Sequence, residues 1–464
     1  MKNQSLIDPD LIRRYDRAGP RYTSYPAATH FNEDFTAADF CHWARQSNHP
    51  VDHGKRPLSL YVHIPFCSTL CFYCGCNKVV TRNRQRAIPY LEHLHREIEL
   101  HAGLFDHDRP VDQMHWGGGT PTFINPDQMH ELVTKLKRHF RFHNDDSGEY
   151  AIEIDPREVD DETVGVLREM GFNRISLGVQ DTNPLVQQAV NRIQPVEQTL
   201  AVIQAARRHG FKSISIDLIY GLPRQTPDTF AATIEAVLAM NPDRISLFNY
   251  AHLPALFKPQ RKIAEQDLPP PRDKLAILKN SVMQLCQAGY RYIGMDHFAR
   301  PDDDLAIAQQ NGTLYRNFQG YSTHKHCDLV AMGITAISQV GPTYSQNAKT
   351  LDDYYERIDR GELPIVKGRA LTRDDLIRRA LITELICHFH VGFESFSRQW
   401  QIDSKDYFAR ELQALSPMQD DGLVAVTAEG ITVLERGRYL IRNICMVFDI
   451  YLRNPSHARY SKVI

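Results

Sequence analysis

The chain contains 464 residues, and its 54 Lys and Arg against 56 Asp and Glu give a formal net charge of −2. This balance excludes a polybasic nucleic-acid-binding arm or an acidic tail as the main feature of the protein. Hydrophobic residues make up 42% of the chain and charged residues 24%, which excludes a largely disordered protein. No uncharged stretch is apolar enough for a transmembrane helix, and no secretory signal is visible. We therefore expect a cytoplasmic protein with no membrane partner.

Residues 1–56 form the first predicted segment, which is polar and poor in strand-like runs. It contains the turn-rich sequence GPRYTSYP at 19–26, in which Arg21, Tyr22 and Tyr25 stand among Gly and Pro. A stretch with so few core-forming residues suits a strap over an opening better than a packed element. A disordered leader is the alternative.

Residues 57–368 form the predicted main domain, in which strand-like runs alternate with amphipathic helices. The strands are short and mostly apolar on both faces, which favours parallel strands covered by helices. Asn125 marks a helix start, and Gly171 and Gly210 mark helix ends. The six predicted strands span 58–64, 112–118, 149–155, 174–180, 213–221 and 244–250. Six units cannot close an eight-stranded barrel, so the sequence predicts an α/β fold with a partial, open (β/α)6 TIM-like barrel and additional strands.

Residues 369–464 form a small predicted carboxyl-terminal domain. Helical patterns span 372–389, 405–415 and 435–452, and a hairpin of 423–426 with 431–434 lies between the last two. Helices followed by a hairpin are typical of a winged-helix-like module. The last helical pattern has an apolar body and carries acidic as well as basic residues, which argues against DNA binding. We therefore expect this domain to cover the barrel, with no nucleic acid partner.

The strongest chemical signal is a cysteine-rich loop directly after the first predicted strand. Cys67, Cys71, Cys74 and Cys76 lie within ten residues, whereas a secreted disulfide framework spreads its cysteines through the chain. Thiolates bind iron–sulfur clusters and zinc. The spacing lets the first three sulfurs wrap one cluster, whereas Cys76 would need a cramped chelate to join them. A structural zinc site with all four thiolates is the alternative, although only half of its usual paired spacing is present.

Glycines and polar residues occur on three other predicted strands and one turn, towards the edge where barrels place catalytic side chains. The glycines Gly117–Gly119 could let the backbone approach a ligand and offer N–H groups to it, although a plain tight turn is the alternative. Glu153, Gln180 and Asp217 lie on the third, fourth and fifth strands. Glu153 could pair with a cationic amino group, and Asp217 could bind a ribose hydroxyl. A helix cap or a satisfied strand-end group is the alternative for each.

The CxxxCxxC loop, with Tyr73 just before its third cysteine, resembles that of radical S-adenosylmethionine (SAM) enzymes. The resemblance extends over nearly the whole chain and is specific for the oxygen-independent coproporphyrinogen III oxidase family. It rests on the segments GPRYTSYP (19–26), YVHIPFC (61–67), CGCNK (74–78), HWGGGTPT (115–122), IDPRE (154–158), NRISLGVQD (173–181), IDLIYGLP (216–223), FNYAHLP (248–254), YIGMDHFARPDDDLA (292–306), RNFQGY (316–321) and LIRNICMVFD (440–449).

This resemblance implies a set of cofactors and site residues. Cys67, Cys71 and Cys74 would hold a [4Fe-4S] cluster. Cys76 would be unligated, and Tyr61 and Cys76 would have catalytic roles. Two SAM molecules would be bound by the residues that match family contact positions, namely Tyr61, Tyr73, Gly118, Gly119, Thr120, Glu153, Gln180, Arg192, Asp217, Ala251 and Ile337.

The resemblance also implies the activity. The enzyme would convert two propionate side chains of coproporphyrinogen III to vinyl groups by oxidative decarboxylation, giving protoporphyrinogen IX in haem biosynthesis. A 5′-deoxyadenosyl radical from SAM would start the reaction, and an electron donor of unknown identity, such as a flavodoxin-type reductant, would supply the electron. The resemblance implies that the enzyme acts as a monomer.

Two other functions stay open from the sequence. A haem chaperone related to this family would have the cysteine loop without the decarboxylase activity. Such chaperones usually carry Phe where this chain has Cys76, and they lack the GPRYTSYP segment, so both features favour the enzyme. A zinc-stabilised, winged-helix DNA-binding protein is the second alternative.

Overall fold

The computed structural model describes residues 8–50 and 54–453, except for the side chain of Pro9. Their backbone forms two compact units. The barrel unit comprises Phe31–Ala288 and His326–Ala370, and the terminal unit comprises the described residues of Met1–His30, Gly289–Lys325 and Leu371–Ile464. The division into segments 1–56, 57–368 and 369–464 stays a prediction. Among the described residues, no helix is long and apolar enough to cross a membrane.

Six parallel strands form the centre of the barrel unit, and their order in the sheet follows their order in the chain. Each of the six predicted strands is confirmed, with ends that differ from the prediction by two residues or fewer. The strands are β1 Leu58–Ile64, β2 Pro110–Gly118, β3 Glu149–Ile154, β4 Arg174–Gln180, β5 Ser213–Tyr220 and β6 Arg244–Asn249. All five neighbouring pairs are parallel, which confirms the open, partial barrel. All six carboxyl ends therefore lie at one edge.

Four additional strands extend the sheet beyond β1. Strand β7 (Asp328–Met332) lies parallel to β1, and β8 (Ile337–Val340), β9 (Thr343–Asn347) and β10 (Ile365–Ala370) follow as an antiparallel series. Every residue of β9 is buried. Asn32 forms an antiparallel backbone bridge with Gly368 on the edge strand β10. Part of the hydrogen-bonding edge of that strand is therefore paired within the unit.

Helices cover the sheet through one apolar face each. The helix that begins after Asn125 has the predicted cap, because the Asn125 side chain accepts from the backbone N–H of Gln128. Its apolar residues, among them Met129 and Leu136, are buried. The helices of the barrel unit are α1 Ala37–Gln46, α2 Ala87–Ala102, α3 Pro126–His139, α4 Asp161–Glu169, α5 Pro184–Ala189, α6 Val196–Arg208, α7 Pro227–Met240, α8 Pro271–Gln287 and α9 Leu351–Asp359.

A buried carboxylate on α2 holds the turn that follows β7. Glu97 is completely buried and accepts hydrogen bonds from Tyr354 Oη at 2.6 Å, Asn347 Nδ2 at 2.7 Å and the backbone N–H of Gly333 at 2.8 Å. Beside it, Tyr90 Oη donates to the carbonyl oxygen of His63 at 2.6 Å. These bonds connect the β7 turn and α9 to the end of β1, directly before the cysteine loop.

We expect Glu97→Ala to lower the free energy of unfolding by at least about 3 kcal/mol, because each of three buried donors loses its partner at about 1–3 kcal/mol. Glu99→Ala on the same helix is the matched control. Glu99 is half exposed and pairs with Lys135, so its loss should cost less than about 1 kcal/mol. Denaturant unfolding of the two variants measures the difference, and equal effects would contradict the assignment.

The terminal unit contains helices, two small antiparallel sheets and one further antiparallel strand pair. The predicted hairpin is confirmed as Val424–Val426 paired with Gly430–Val433, and His390–Gly392 adds a third strand. The other pairs are Arg291–Gly294 with His297–Ala299, and Tyr315–Asn317 with Gly320–Ser322. The helices are Pro9–Tyr15, Asp304–Gln310, Arg373–His388, Phe393–Trp400, Ser404–Tyr407, Ala409–Ala414, Ser416–Asp420 and Ile441–Val447.

Two of the predicted carboxyl-terminal helices are shorter than expected. The pattern at 405–415 is broken at Phe408, whose side chain is completely buried. The pattern at 435–452 contains one α-helical stretch, flanked on both sides by 3-10 turns. A Cβ at Gly437 would lie 2.0 Å from the carbonyl oxygen of Leu423, so the chain here is pressed against the hairpin. Helical periodicity in the sequence does not reveal such a constraint.

The segment around Tyr22 is packed, which corrects the expectation from its composition. Tyr22 and Tyr25 are buried, and Tyr22 Oη donates to Asp449 Oδ2 at 3.0 Å. Asn443 Nδ2 donates to the carbonyl oxygen of Tyr15 at 2.6 Å. The tyrosine rings therefore act as core residues of the terminal unit although Gly and Pro surround them in the sequence.

Candidate active site

The cysteine loop begins where β1 ends and is closed by a pair of two-residue parallel strands. Phe66–Cys67 pairs with Val79–Val80. The N–H of Val79 donates to the carbonyl oxygen of Pro65 at 2.7 Å, and the N–H of Thr81 donates to that of Cys67 at 2.9 Å. The backbone thus returns to its starting point and holds the four cysteines within one closed loop.

A second segment, residues 190–192, fixes the middle of the loop. The N–H of Phe72 donates to the carbonyl oxygen of Val190 at 2.9 Å, and Asn191 Nδ2 donates to that of Leu70 at 2.8 Å. Arg192 Nη1 donates to Cys71 Sγ at 3.6 Å. Arg192 was predicted as a SAM contact, whereas nothing in the sequence indicated its two neighbours.

A third segment, residues 257–262, supports the carboxyl-terminal half of the loop. Gln260 Nε2 donates to the carbonyl oxygen of Tyr73 at 3.0 Å and to that of Ala251 at 3.2 Å. The Phe257 ring lies 3.2 Å from the position of a Cβ at Gly75, so only glycine fits there without a shift. Nothing in the sequence indicated this segment.

A cavity of about 330 Å³ lies between the cysteine loop and the carboxyl ends of the barrel strands. Twelve of the predicted site residues line it, namely Cys67, Cys71, Cys74, Cys76, Tyr73, Gly118, Gly119, Thr120, Glu153, Gln180, Arg192 and Asp217. The structure therefore brings together residues that lie up to 150 positions apart in the chain.

Three predicted site residues are absent from this lining. Tyr61 on β1 stacks on His115 with ring centroids 6.0 Å apart, and its Oη lies 3.1 Å from His63 Nδ1. Burial raises the pKa of Tyr61 well above its usual value, with smaller contributions from Glu153 and Cys76. Ala251 follows β6, and Ile337 begins β8.

The spacing of the four sulfurs distinguishes between the two metal chemistries. A tetrahedral zinc ion with Zn–S bonds of about 2.3 Å would hold its thiolates about 3.8 Å apart. No three of the Sγ atoms of Cys67, Cys71, Cys74 and Cys76 lie within 4.8 Å of one another. This arrangement does not place three of the thiolates close enough together for one shared zinc ion.

The cysteines also differ in their protonation. Burial raises the pKa of Cys67 to about 11, although Thr120 Oγ1 donates to its sulfur at 3.7 Å. A hydrogen bond from Cys76 lowers the pKa of Cys74 to about 5, and Lys78 acts in the same direction against the effect of burial. The Cys76 thiol, which donates that bond, keeps its proton.

The backbone N–H groups of the glycine turn after β2 form hydrogen bonds within the protein. Gly118 has a φ of +110°, and a Cβ there would lie 2.6 Å from the His63 ring. Its N–H donates to Glu153 Oε2 at 3.3 Å, and those of Gly119 and Thr120 donate to backbone carbonyls of the cysteine loop and the end of β1 at 2.8 Å. These N–H groups thus orient Glu153 and the loop, as in the tight-turn alternative.

Glu153 presents a charged carboxylate to the cavity. Its Oε1 lies 3.2 Å from His115 Nε2, and its side chain remains 45% exposed. Burial acts to raise the pKa of Glu153, but the hydrogen bond and charge of His115 and the N–H of Gly118 outweigh it, so the pKa is lowered. A carboxylate that is ionised at neutral pH suits an ammonium group.

An ion network behind Cys71 was not predicted. Asp155 Oδ2 lies 2.7 Å from Arg157 Nη2 and 3.0 Å from Arg192 Nη1, and both arginines also point at Cys71 Sγ. Burial acts to raise the pKa of Asp155, but its two arginine partners lower it below its usual value. The Asp-Pro-Arg sequence at the end of β3 was the only available signal for this network.

Asp217 on β5 has the opposite electrostatic setting. Ser176 Oγ donates to its Oδ2 at 3.1 Å, yet burial, followed by the charge of Glu153, raises the pKa of Asp217 to about 6. Glu153 and Asp217 therefore titrate in different pH ranges.

We expect the stability of the protein to record this titration. The pKa of Asp217 is about 3.9 in the unfolded state and about 6 in the folded state. Between these two pH values the unfolded state is deprotonated while the folded state keeps its proton. As the pH rises from 4 to 7, the free energy of unfolding of the wild type should therefore fall by about 2–3 kcal/mol through this group. Asp217→Asn cannot titrate there and should not show this loss. Calorimetry should show the thermal midpoint of the variant gaining on that of the wild type from pH 4 to pH 7, whereas a constant difference would contradict the raised pKa.

Comparison with known proteins agrees with this geometry. The Radical SAM superfamily model matches residues 61–237, and the HemN C-terminal domain model matches residues 371–440. The chain is 53% identical over 457 residues to the oxygen-independent coproporphyrinogen III oxidase of Pseudomonas aeruginosa, with 98% of each chain covered. It is 52% identical to the enzyme of the same name from Salmonella typhimurium, with 100% of each chain covered.

A solved structure of coproporphyrinogen III oxidase from Escherichia coli, described as a radical SAM enzyme, superposes with a TM-score of 0.90 at 50% sequence identity. The superposition covers 97% of this chain and 100% of that one. Radical SAM enzymes use a [4Fe-4S] cluster and SAM, so membership of this superfamily implies both cofactors. This chain belongs to the oxygen-independent coproporphyrinogen III oxidase family of radical SAM enzymes.

Proposed function

We propose that this protein oxidatively decarboxylates two propionate side chains of coproporphyrinogen III to vinyl groups, giving protoporphyrinogen IX in haem biosynthesis without oxygen. The observation that carries the proposal is that Cys67, Cys71 and Cys74 line the same cavity as polar residues from the strand ends. A chain that matches named oxidases over its full length supports the choice of substrate.

Cys67, Cys71 and Cys74 are the proposed ligands of the [4Fe-4S] cluster. They line one cavity, they lie too far apart for one zinc ion, and Arg192 can donate to the sulfur of Cys71. Donors aimed at a ligating sulfur favour its thiolate form, which is the form that binds iron.

SAM is proposed to bind beside the cluster, against the strand ends. When bound, the reduced cluster and SAM supply a 5′-deoxyadenosyl radical, which takes a hydrogen atom from the propionate. Glu153 offers an ionised carboxylate to the amino group of SAM, and Asp217 offers a carboxylate to a ribose hydroxyl. The N–H of Gly118 holds the Glu153 carboxylate in place, and the N–H groups of Gly119 and Thr120 hold the chain that leads from β1 into the cysteine loop.

We also propose that a second SAM molecule binds. Ala251 and Ile337 match family contact positions but do not line the cavity that contains the other contacts. Two contact residues outside one cavity fit two binding positions better than one.

Tyr61 and Cys76 are the proposed catalytic residues. Tyr61 is half-buried between His63 and His115 near Glu153, and its raised pKa keeps the phenol protonated. Cys76 lines the cavity with a protonated thiol and is the one cysteine of the loop that the cluster does not need. Both side chains therefore carry a hydrogen that can be transferred, Cys76 within the cavity and Tyr61 on β1 outside its lining.

The proposed setting is a cytoplasmic monomer that receives electrons from a flavodoxin-type reductant. Each propionate that becomes a vinyl group loses one hydrogen atom to the deoxyadenosyl group, one CO₂ and one further electron. An electron acceptor must therefore complete the reaction.

Anaerobic turnover tests this function. The reconstituted protein, incubated with coproporphyrinogen III, SAM and dithionite, should form the mono- and didecarboxylated products, identified by mass. Cleavage of SAM without any decarboxylated product, together with tight haem binding, would instead indicate a chaperone.

A further inference from the structure

The outer surface around the cysteine loop carries an unusual combination of exposed apolar and basic side chains. The three segments that hold the loop, residues 78–86, 190–194 and 256–262, contain eight Lys and Arg and no Asp or Glu, with Arg192 buried beside Asp155 and Arg84 paired with Glu158. The whole chain has a net charge of −2, so this concentration of positive charge is local. Such a patch attracts an acidic partner and raises its rate of association.

Large apolar side chains are exposed on the same three segments. Val80 is 41% exposed, Ile193 66% and Leu256 58%. Isolated exposed apolar residues are ordinary, but one on each of three segments around a functional loop is typical of an interaction site.

The basic side chains here have few partners of their own. Arg82, Lys258 and Arg261 are exposed, and none of them forms an ion pair with a residue in the described part of the chain. Arg261 uses only its Nε, which donates to the carbonyl oxygen of Pro254 at 3.0 Å. Their charges are therefore available to a partner.

These residues define what we call the loop face: Val80, Arg82, Ile193, Leu256, Lys258 and Arg261. None of them lines the cavity. Two neighbours of these residues in the chain contact the cysteine loop: Lys262 Nζ lies 4.9 Å from the centroid of the Phe72 ring, and Gln260 Nε2 donates to the carbonyl oxygen of Tyr73. The segment that carries Leu256, Lys258 and Arg261 is therefore packed against the loop that contains the cysteines.

We propose that the loop face is the docking site of an acidic one-electron carrier protein, of the flavodoxin class. This inference rests on the proposed function, since that reaction requires one electron for each SAM that is cleaved. One electron passes from the reduced carrier to the oxidised cluster, so the carrier is oxidised by one electron and the cluster is reduced by one. Electron-transfer contacts are small and depend on charge, which fits a patch of three cations and three apolar side chains.

Calorimetric titration of the anaerobic holoenzyme with an acidic flavodoxin tests the docking site directly. The triple variant Arg82→Glu/Lys258→Glu/Arg261→Glu should raise the Kd about tenfold or more. Raising NaCl from about 50 to about 300 mM should weaken wild-type binding much more than binding of the variant, because salt screens exposed charges. An unchanged Kd in the triple variant would overturn the proposal.

The matched control is Arg138→Glu/Lys405→Glu/Arg410→Glu, which makes the same change in charge at exposed residues outside the loop face. It should bind flavodoxin as the wild type does. If it weakens binding equally, the effect comes from net charge, and the loop face is not the docking site.

Turnover with two reductants separates this proposal from its rivals. With reduced flavodoxin the loop-face variant should be slowed about tenfold, and with dithionite it should match the wild type within about twofold. Equal losses with both reductants would assign these cations to the carboxylates of the substrate and overturn the docking site. A wild type that is inactive with dithionite would contradict the proposed function, while the titration would still decide the docking site.

Discussion

Cys71→Ser is expected to lose the iron–sulfur cluster and, with it, essentially all activity. The Cys71 side chain is buried, its sulfur receives a hydrogen bond from Arg192, and only two other proposed ligands exist. A cluster held by three thiolates has no spare ligand, so Cys67→Ser and Cys74→Ser should behave in the same way. Iron analysis and the visible absorbance of each anaerobically reconstituted variant measure the loss.

Cys76→Ser is the matched control within the same loop. It should retain the iron and the absorbance of the wild type, while product formation falls because Cys76 is a proposed catalytic residue. If Cys76→Ser loses iron as completely as Cys71→Ser, the three-cysteine assignment is wrong.

Glu153→Ala should weaken the binding of SAM by about 1–3 kcal/mol, which is the range for removing a charged hydrogen-bond partner. Its carboxylate is ionised, it faces the cavity, and the Gly118 N–H and His115 hold it in place. Equilibrium binding of SAM to the reconstituted variant measures the change.

Glu158→Ala provides the comparison for Glu153. Glu158 also lines the cavity, but its carboxylate already pairs with Arg84 at 3.2 Å. Its loss should change the affinity for SAM by less than about 1 kcal/mol. Equal effects of the two substitutions would show that Glu153 has no special part in binding SAM.

The barrel was predictable because its strands have a strong local signal. In β4 (RISLGVQ) and β5 (SISIDLIY) every second residue is Ile, Leu, Val or Tyr and is buried, a period of two that indicates a strand within seven or eight residues. The cysteine loop was predictable for a similar reason, because its ligands are close together in the sequence.

The supports of the loop could not be predicted, because they depend on contacts between distant residues. Gln260 lies 187 positions from Tyr73, and Arg192 lies 121 positions from Cys71. Glu97 appears in the sequence as an ordinary charged residue of an amphipathic helix, and only the fold shows that it is buried. The glycine turn had the right residue types, but the sequence could not show that its N–H groups bond to Glu153 and to the β1 end.

Amino-acid composition did not predict the packing of the amino-terminal segment. Gly and Pro around Tyr22 and Tyr25 indicated little packing, yet both rings are buried in the terminal unit. An aromatic ring buries a large area by itself, so two tyrosines are enough to form a packed element where aliphatic residues are few.

Transfer of deuterium tests the proposed function most directly. Coproporphyrinogen III carrying deuterium on the β carbons of its propionates would be incubated anaerobically with SAM, dithionite and the reconstituted enzyme. The proposed function predicts that 5′-deoxyadenosine gains deuterium in step with the loss of CO₂ from the porphyrinogen. Formation of 5′-deoxyadenosine without deuterium, and without decarboxylated product, would contradict it.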